Sequence, residues 1–123
     1  SKTKPVRSVL AVSDPEFDRQ LFPKLPKLPG AQAEVQELPA LYQNSEELPR
    51  AQATKAAFLR KAKNFQVLHL AAHSIVNNNE PLLSSILLAA EPRRQAVPSE
   101  SLLLAHEIFR LPLPQTRLVI LSS

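Results

Sequence analysis

Three stretches of the chain are near-continuous apolar runs: residues 6–13 (VRSVLAVS), 65–72 (FQVLHLAA) and 117–122 (RLVILS). Unbroken runs of this length, rather than alternating ones, suit a parallel sheet covered on both faces, so the pattern predicts three fully buried strands. Between the first two runs the period changes. Residues 31–42 put Val35, Leu38 and Tyr42 along one helical stripe, with Pro39 removing a backbone hydrogen bond and bending or shortening the helix. Thr54 is a good N-cap for a second helix over residues 55–63, where Phe58, Leu59 and Ala62 face one side. Strand, helix, helix, strand predicts right-handed crossovers and an α/β sandwich.

Residues 81–104 read differently. PLLSSILLA (81–89) and SESLLL (99–104) are two β-type runs separated by the polar, proline-bearing EPRRQAVP, which predicts a hairpin or small flap with Arg93 and Arg94 at a solvated tip. A short helix over 105–109 follows, with Ile108 and Phe109 packing inward and His106 and Glu107 facing solvent. LPLPQ then leads into the last strand, and FPKLPKLP (22–29) is a proline-spaced connection.

Composition narrows the function classes. At 123 residues and 44% hydrophobic content the chain supports one small core, and twelve prolines beside a single glycine imply stiff connections. The net charge of +4 comes from scattered basic residues, with only Tyr42 and five phenylalanines available for base stacking, so no nucleic-acid surface is expected. The absence of cysteine removes disulfides and thiolate metal sites. No apolar run approaches the ~20 residues of a membrane helix. The expectation is a cytoplasmic protein without membrane contact.

The stretch VLHLAAHS (67–74) carries the candidate chemistry. Two histidines four apart would meet one metal ion on a helix, but on a strand four residues span about 13 Å, so no metal or other cofactor is expected. In open α/β sheets the reactive edge is the carboxyl end of the strands. That puts His73 where chemistry happens and makes His69 a packed, hydrogen-bonded core residue. Ser122 and Ser123 end the other apolar strand, on the same rim if the two strands are neighbours. Neither has the glycine-flanked elbow of a serine nucleophile, and Gly30 alone cannot build a phosphate-binding loop.

Taken in order, LPGAQAEVQEL, ATKAAFLRKA, VLHLAAHS, PLLSSILLA, LLLAHEIFRLPL and RLVILSS resemble the CHAT domains, caspase-like modules often joined to tetratricopeptide repeats. The resemblance runs over most of the chain from the first strand onward. It implies a three-layer caspase-like sandwich with a mostly parallel central sheet and a small hairpin, of which residues 1–123 form the amino-terminal half. It also implies a cysteine endopeptidase acting on protein substrates through a Cys-His dyad. His73 falls on the catalytic histidine and would act as general base. The nucleophilic cysteine would follow the LSS tail, one position beyond Ser123. The backbone N–H of Ser74 would serve the oxyanion hole, although such domains usually carry glycine there. The specificity pocket of such folds is built largely by later segments, and nothing in this sequence identifies a preferred side chain. The other reading is a non-catalytic interaction module of the same fold, which Ser74 in place of glycine favours.

Overall fold

The computed structural model describes residues 7–92 and 98–122. The predictions for Val6, Ser123 and the Arg93–Arg94 tip therefore lie outside the described residues.

The chain is α/β, and its main sheet forms around strand β1 (Ser8–Ser13), every residue of which is buried. Helix α1 (Ala31–Gln36) follows, and Pro39 acts as expected: the helix stops short of it and the proline enters a separate 3-10 turn, Leu38–Ala40. Strand β2 (Asn44–Pro49) comes next, then helix α2 (Lys55–Lys61), then strand β3 (Val67–Ala71), buried throughout. Thr54 caps α2 through its hydroxyl, which accepts from the Ala57 N–H at 3.1 Å. After a smaller unit the chain returns as β7 (Leu118–Ser122). The four strands are parallel, in the order β2, β1, β3, β7.

Period-2 alternation along the buried strands builds two cores. Val9, Ala11, Val67 and Ala71 face α1 and pack with Ala31, Val35 and Leu38, whereas Leu10, Val12, Leu68 and Leu70 face α2 and pack with Ala57 and Phe58. The two helices thus lie on opposite faces of the sheet, as right-handed crossovers in opposite directions require.

Strand β2 has no counterpart among the predicted elements, and its residues NSEELP explain why. An edge strand needs only its backbone ladder to β1 and one inward side chain, Leu48, so it leaves almost no hydrophobic period. The other edge strand corrects an expectation. β7 is not fully buried: Leu118 and Leu121 are exposed, because the strand pairs with β3 on one side and among the described residues nothing pairs on the other.

The expected hairpin is a three-stranded antiparallel sheet in which β5 (Ser85–Leu87) and β6 (Leu102–Leu104) are joined by β4 (Ser74–Ile75). Ile86, Leu88 and Leu103 close it over the α2 core. Helix α3 (Ala105–Arg110) packs beside it through Ile108, but Phe109 is exposed rather than inward. Glu107 also departs from its predicted solvent-facing role. Its Oε1 accepts from the Leu104 N–H at 3.0 Å, the returning half of a capping box, and pairs with Lys55 Nζ at 2.9 Å, pinning α3 to α2. Burial raises the Glu107 carboxyl, but Lys55 and the Leu104 N–H outweigh it and leave it below its ordinary value. A lowered folded-state value contributes stability that is present above the unfolded value and lost as pH falls through the folded one. Glu107→Gln is expected to cost about 1 kcal/mol at neutral pH, with the gap closing on acidification, in paired urea melts.

Candidate active site

Connections leave the adjacent strands β1 and β3 in opposite directions: β1 leads through α1 to β2 on one side, and β3 leads on toward β7 on the other. This is a topological switch point, and the crevice at its carboxyl end is where open α/β sheets take their ligands. Two loops enter it, the one after β1 and the one after β3.

The loop after β3 supplies His73, half-buried against residues of the first loop. The Phe17 ring meets it edge-on, with centroids 5.6 Å apart at 83°. Its Nε2 lies 2.6 Å from the Pro26 carbonyl oxygen. A carbonyl can only accept, so Nε2 carries a proton and Nδ1 is the ring atom left to take one. His73 is also fixed by its backbone, whose carbonyl accepts from the Leu87 N–H at 2.9 Å.

The loop after β1 is held in strained geometry. Asp14 and Arg50 end neighbouring strands with φ of 46° and 47°, an uncommon conformation for side chains with a Cβ. The two are locked together: Arg50 Nη1 reaches both the Asp14 carboxylate and the Asp14 carbonyl at 2.9 Å, and the Glu16 N–H donates to the Arg50 carbonyl at 3.0 Å. This lock lies three residues before Phe17, whose ring also stacks edgewise on Phe22 and under the Arg19 guanidinium.

Ser74 opens β4 and is exposed. The Leu87 N–H bond to His73 makes that pair a hydrogen-bonded one, so by antiparallel alternation the next pair, Ser74 with Ile86, is not. The Ser74 N–H therefore points away from β5, toward the open edge of the small sheet.

The carboxyl end of β7 adds a cluster that sequence reasoning did not assemble. His69, on β3, is the packed and hydrogen-bonded histidine expected of it: it is 6% exposed and its Nε2 donates to Glu34 Oε1 at 2.7 Å. Among the described residues its Nδ1 is buried with no hydrogen-bond partner. The Ser122 hydroxyl donates to the same Oε1 at 2.9 Å. That bond is the largest cause holding the Glu34 carboxyl below its ordinary value; burial opposes it and His69 adds to it. A cavity of about 270 Å³ opens beside the carboxylate.

The structure thus brings His73 together with Phe17 and Pro26, and Ser122 with Glu34 and His69. The Pro26 contact carries no sequence signal, because any residue offers a carbonyl there. Glu34 did have one: it flanks the inward stripe of α1, and a buried histidine on the facing strand needs a polar partner. Among the described residues no group of His, Asp or Glu side chains has the makings of a metal site, and no helix is long and apolar enough to cross a membrane.

The family model described as CHAT domain matches residues 1–123. No curated protein and no solved structure matches the chain.

Proposed function

The chain belongs to the CHAT domain family, and from that premise we propose that it supplies the base-bearing half of a caspase-like cysteine endopeptidase. The observation that carries the reading is the register between β3 and β7. Ala71 pairs with Ser122, and the Ala72 N–H donates to the Ser122 carbonyl at 3.1 Å. Counted on by two residues from that pair, the position after Ser123 corresponds to His73, which supports placing a nucleophile there. A cysteine there is the nucleophile in this reading.

The chemistry follows from the ring orientation. With Nε2–H held by Pro26, Nδ1 of His73 accepts the thiol proton, and the thiolate attacks the scissile carbonyl. The oxyanion takes a hydrogen bond from the outward Ser74 N–H. A serine does this as well as glycine, because the donor is backbone. Collapse of the tetrahedral adduct breaks the C–N bond, His73 returns the proton to the leaving amine, and water then hydrolyses the thioester. Protein substrates, tetratricopeptide repeats as the recognising partner, and a reducing cytoplasmic setting that preserves a free thiolate complete the proposal.

A longer polypeptide that carries the residues after Ser123 is expected to react with cysteine-directed peptidyl probes, with the label mapping by mass spectrometry to the residue following Ser123. A folded polypeptide that stays unlabelled, or a residue other than cysteine at that position, would move the assignment to the non-catalytic interaction module.

A further inference from the structure

The cavity between Glu34 and the end of β7 is distinct from the His73 contact and yet adjoins both halves of the proposed site. One wall is the loop that begins at Pro26, whose carbonyl holds His73: Leu28 and Pro29 continue from it into the cavity. The opposite wall is Ala71 and Ser122, the paired ends of β3 and β7. A side chain entering here therefore belongs to a peptide lying across the rim where His73 sits.

The chemistry of the lining selects the occupant. Leu28, Pro29, Ala31 and Ala71 offer apolar wall, and the charged group in the lining is the Glu34 carboxylate. Its two hydrogen bonds both fall on Oε1, and among the described residues no donor reaches Oε2. The Glu34 side chain is 44% exposed, which gives a ligand access to it from the cavity. An aliphatic stem ending in a cation fits both the walls and the carboxylate.

Gly30 makes a second, independent argument. It is the only glycine in the chain, and it lines the same cavity. Its backbone does not call for glycine: φ is −90° and ψ is −9°, open to any residue. A Cβ there would meet nothing within 4 Å. What its missing side chain provides is open space.

We propose that this cavity is the subsite that takes a basic side chain, arginine or lysine, of the peptide substrate beside the scissile bond, with Glu34 as the specificity-determining residue. The substrate assignment rests on the peptidase reading above; the cation site itself does not.

Butylguanidinium and its neutral near-isostere butylurea separate the two. Titrated into the 123-residue chain, butylguanidinium is expected to shift the amide resonances of Gly30, Ala31 and Ser122 saturably, and butylurea to leave them in place. Glu34→Gln, which retains an acceptor for His69 and Ser122, is expected to weaken binding about tenfold or more. Gly30→Leu is expected to abolish binding while the melting temperature holds. The Ser122 hydrogen bond holds the Glu34 carboxyl below its ordinary value, so binding is expected to fail at a lower pH than an unperturbed carboxylate would give. Equal binding of the two ligands, no shift in a folded chain, or unchanged affinity in Glu34→Gln would overturn the site. In the longer polypeptide a peptidyl probe with arginine next to its reactive group is expected to label faster than one with leucine. Labelling without that preference would overturn the subsite and leave the peptidase standing; cation binding without labelling would do the reverse.

Discussion

His73→Ala in the longer polypeptide is expected to lower peptide-bond cleavage by about two to four orders of magnitude, the usual worth of a positioned acid–base group. The expectation follows from how the ring is held. Pro26 fixes the tautomer at 2.6 Å, Phe17 fixes the plane edge-on, and the His73 carbonyl is bound into the β5 ladder. Without the imidazole, the thiol must ionise unaided, and near neutral pH an unperturbed thiol with a pKa of about 8.5 is only a few per cent thiolate. Alkylation by iodoacetamide across pH provides the readout that a merely structural role would not move: the variant's reactive thiolate is expected to appear at the ordinary thiol value, the parent's at a lower one.

Stability should hardly register the same change. His73 is half-buried, belongs to neither core cluster, and presents one edge to the loop after β1. A variant that melts with the parent while losing cleavage assigns His73 to the chemistry. Cleavage within about threefold of the parent would take the base away from His73, because removing a positioned base costs far more than that.

How much of this was readable from the residues depends on which forces leave a pattern. The buried strands β1 and β3 announced themselves because both faces are covered, which makes every position apolar. Thr54 announced α2 because a cap is a local, chemical signal. By contrast β2 is held by a backbone ladder that NSEELP supports without hydrophobic period, and β7 read as buried although Leu118 and Leu121 are exposed and among the described residues nothing pairs along its far side. The site divides in the same way. His73 was legible from its place at the end of a strand. Its partner was not, since the Pro26 contribution is a carbonyl, and neither was the meeting of Glu34 with Ser122, which lie 88 residues apart and are joined only by the crossing of α1 over the sheet. Polar contacts across elements are products of topology, and only the topology reveals them.

The same topology says which side chain the fold can least spare. Phe58→Ala is expected to destabilise the chain by about 3–5 kcal/mol, a large part of the roughly 5–15 kcal/mol that holds a domain together. Phe58 is 1% exposed and belongs to the cluster in which Leu10, Val12, Leu68 and Leu70 of the main sheet meet Ile86, Leu88 and Leu103 of the small one. It therefore closes the seam between the two sheets as well as seating α2. Neighbours drawn from two sheets and a helix cannot all move into the space an alanine would leave, which puts the cost toward the cavity-forming end of the range. Val35→Ala on the α1 face gives the comparison: it removes two carbon atoms from the smaller cluster, about 1.6 kcal/mol at roughly 0.8 per methylene. Urea midpoints at unchanged slope measure both. The order Phe58 well above Val35 is the expected result, and a Phe58→Ala loss below about 1 kcal/mol, far short of a well-packed aromatic, would mean that the two sheets are not joined through α2. Because the His73 carbonyl and the Ser74 N–H form one peptide group bound to the small sheet, loosening that seam moves both relative to the end of β7, so the variant should lose cleavage ahead of global unfolding.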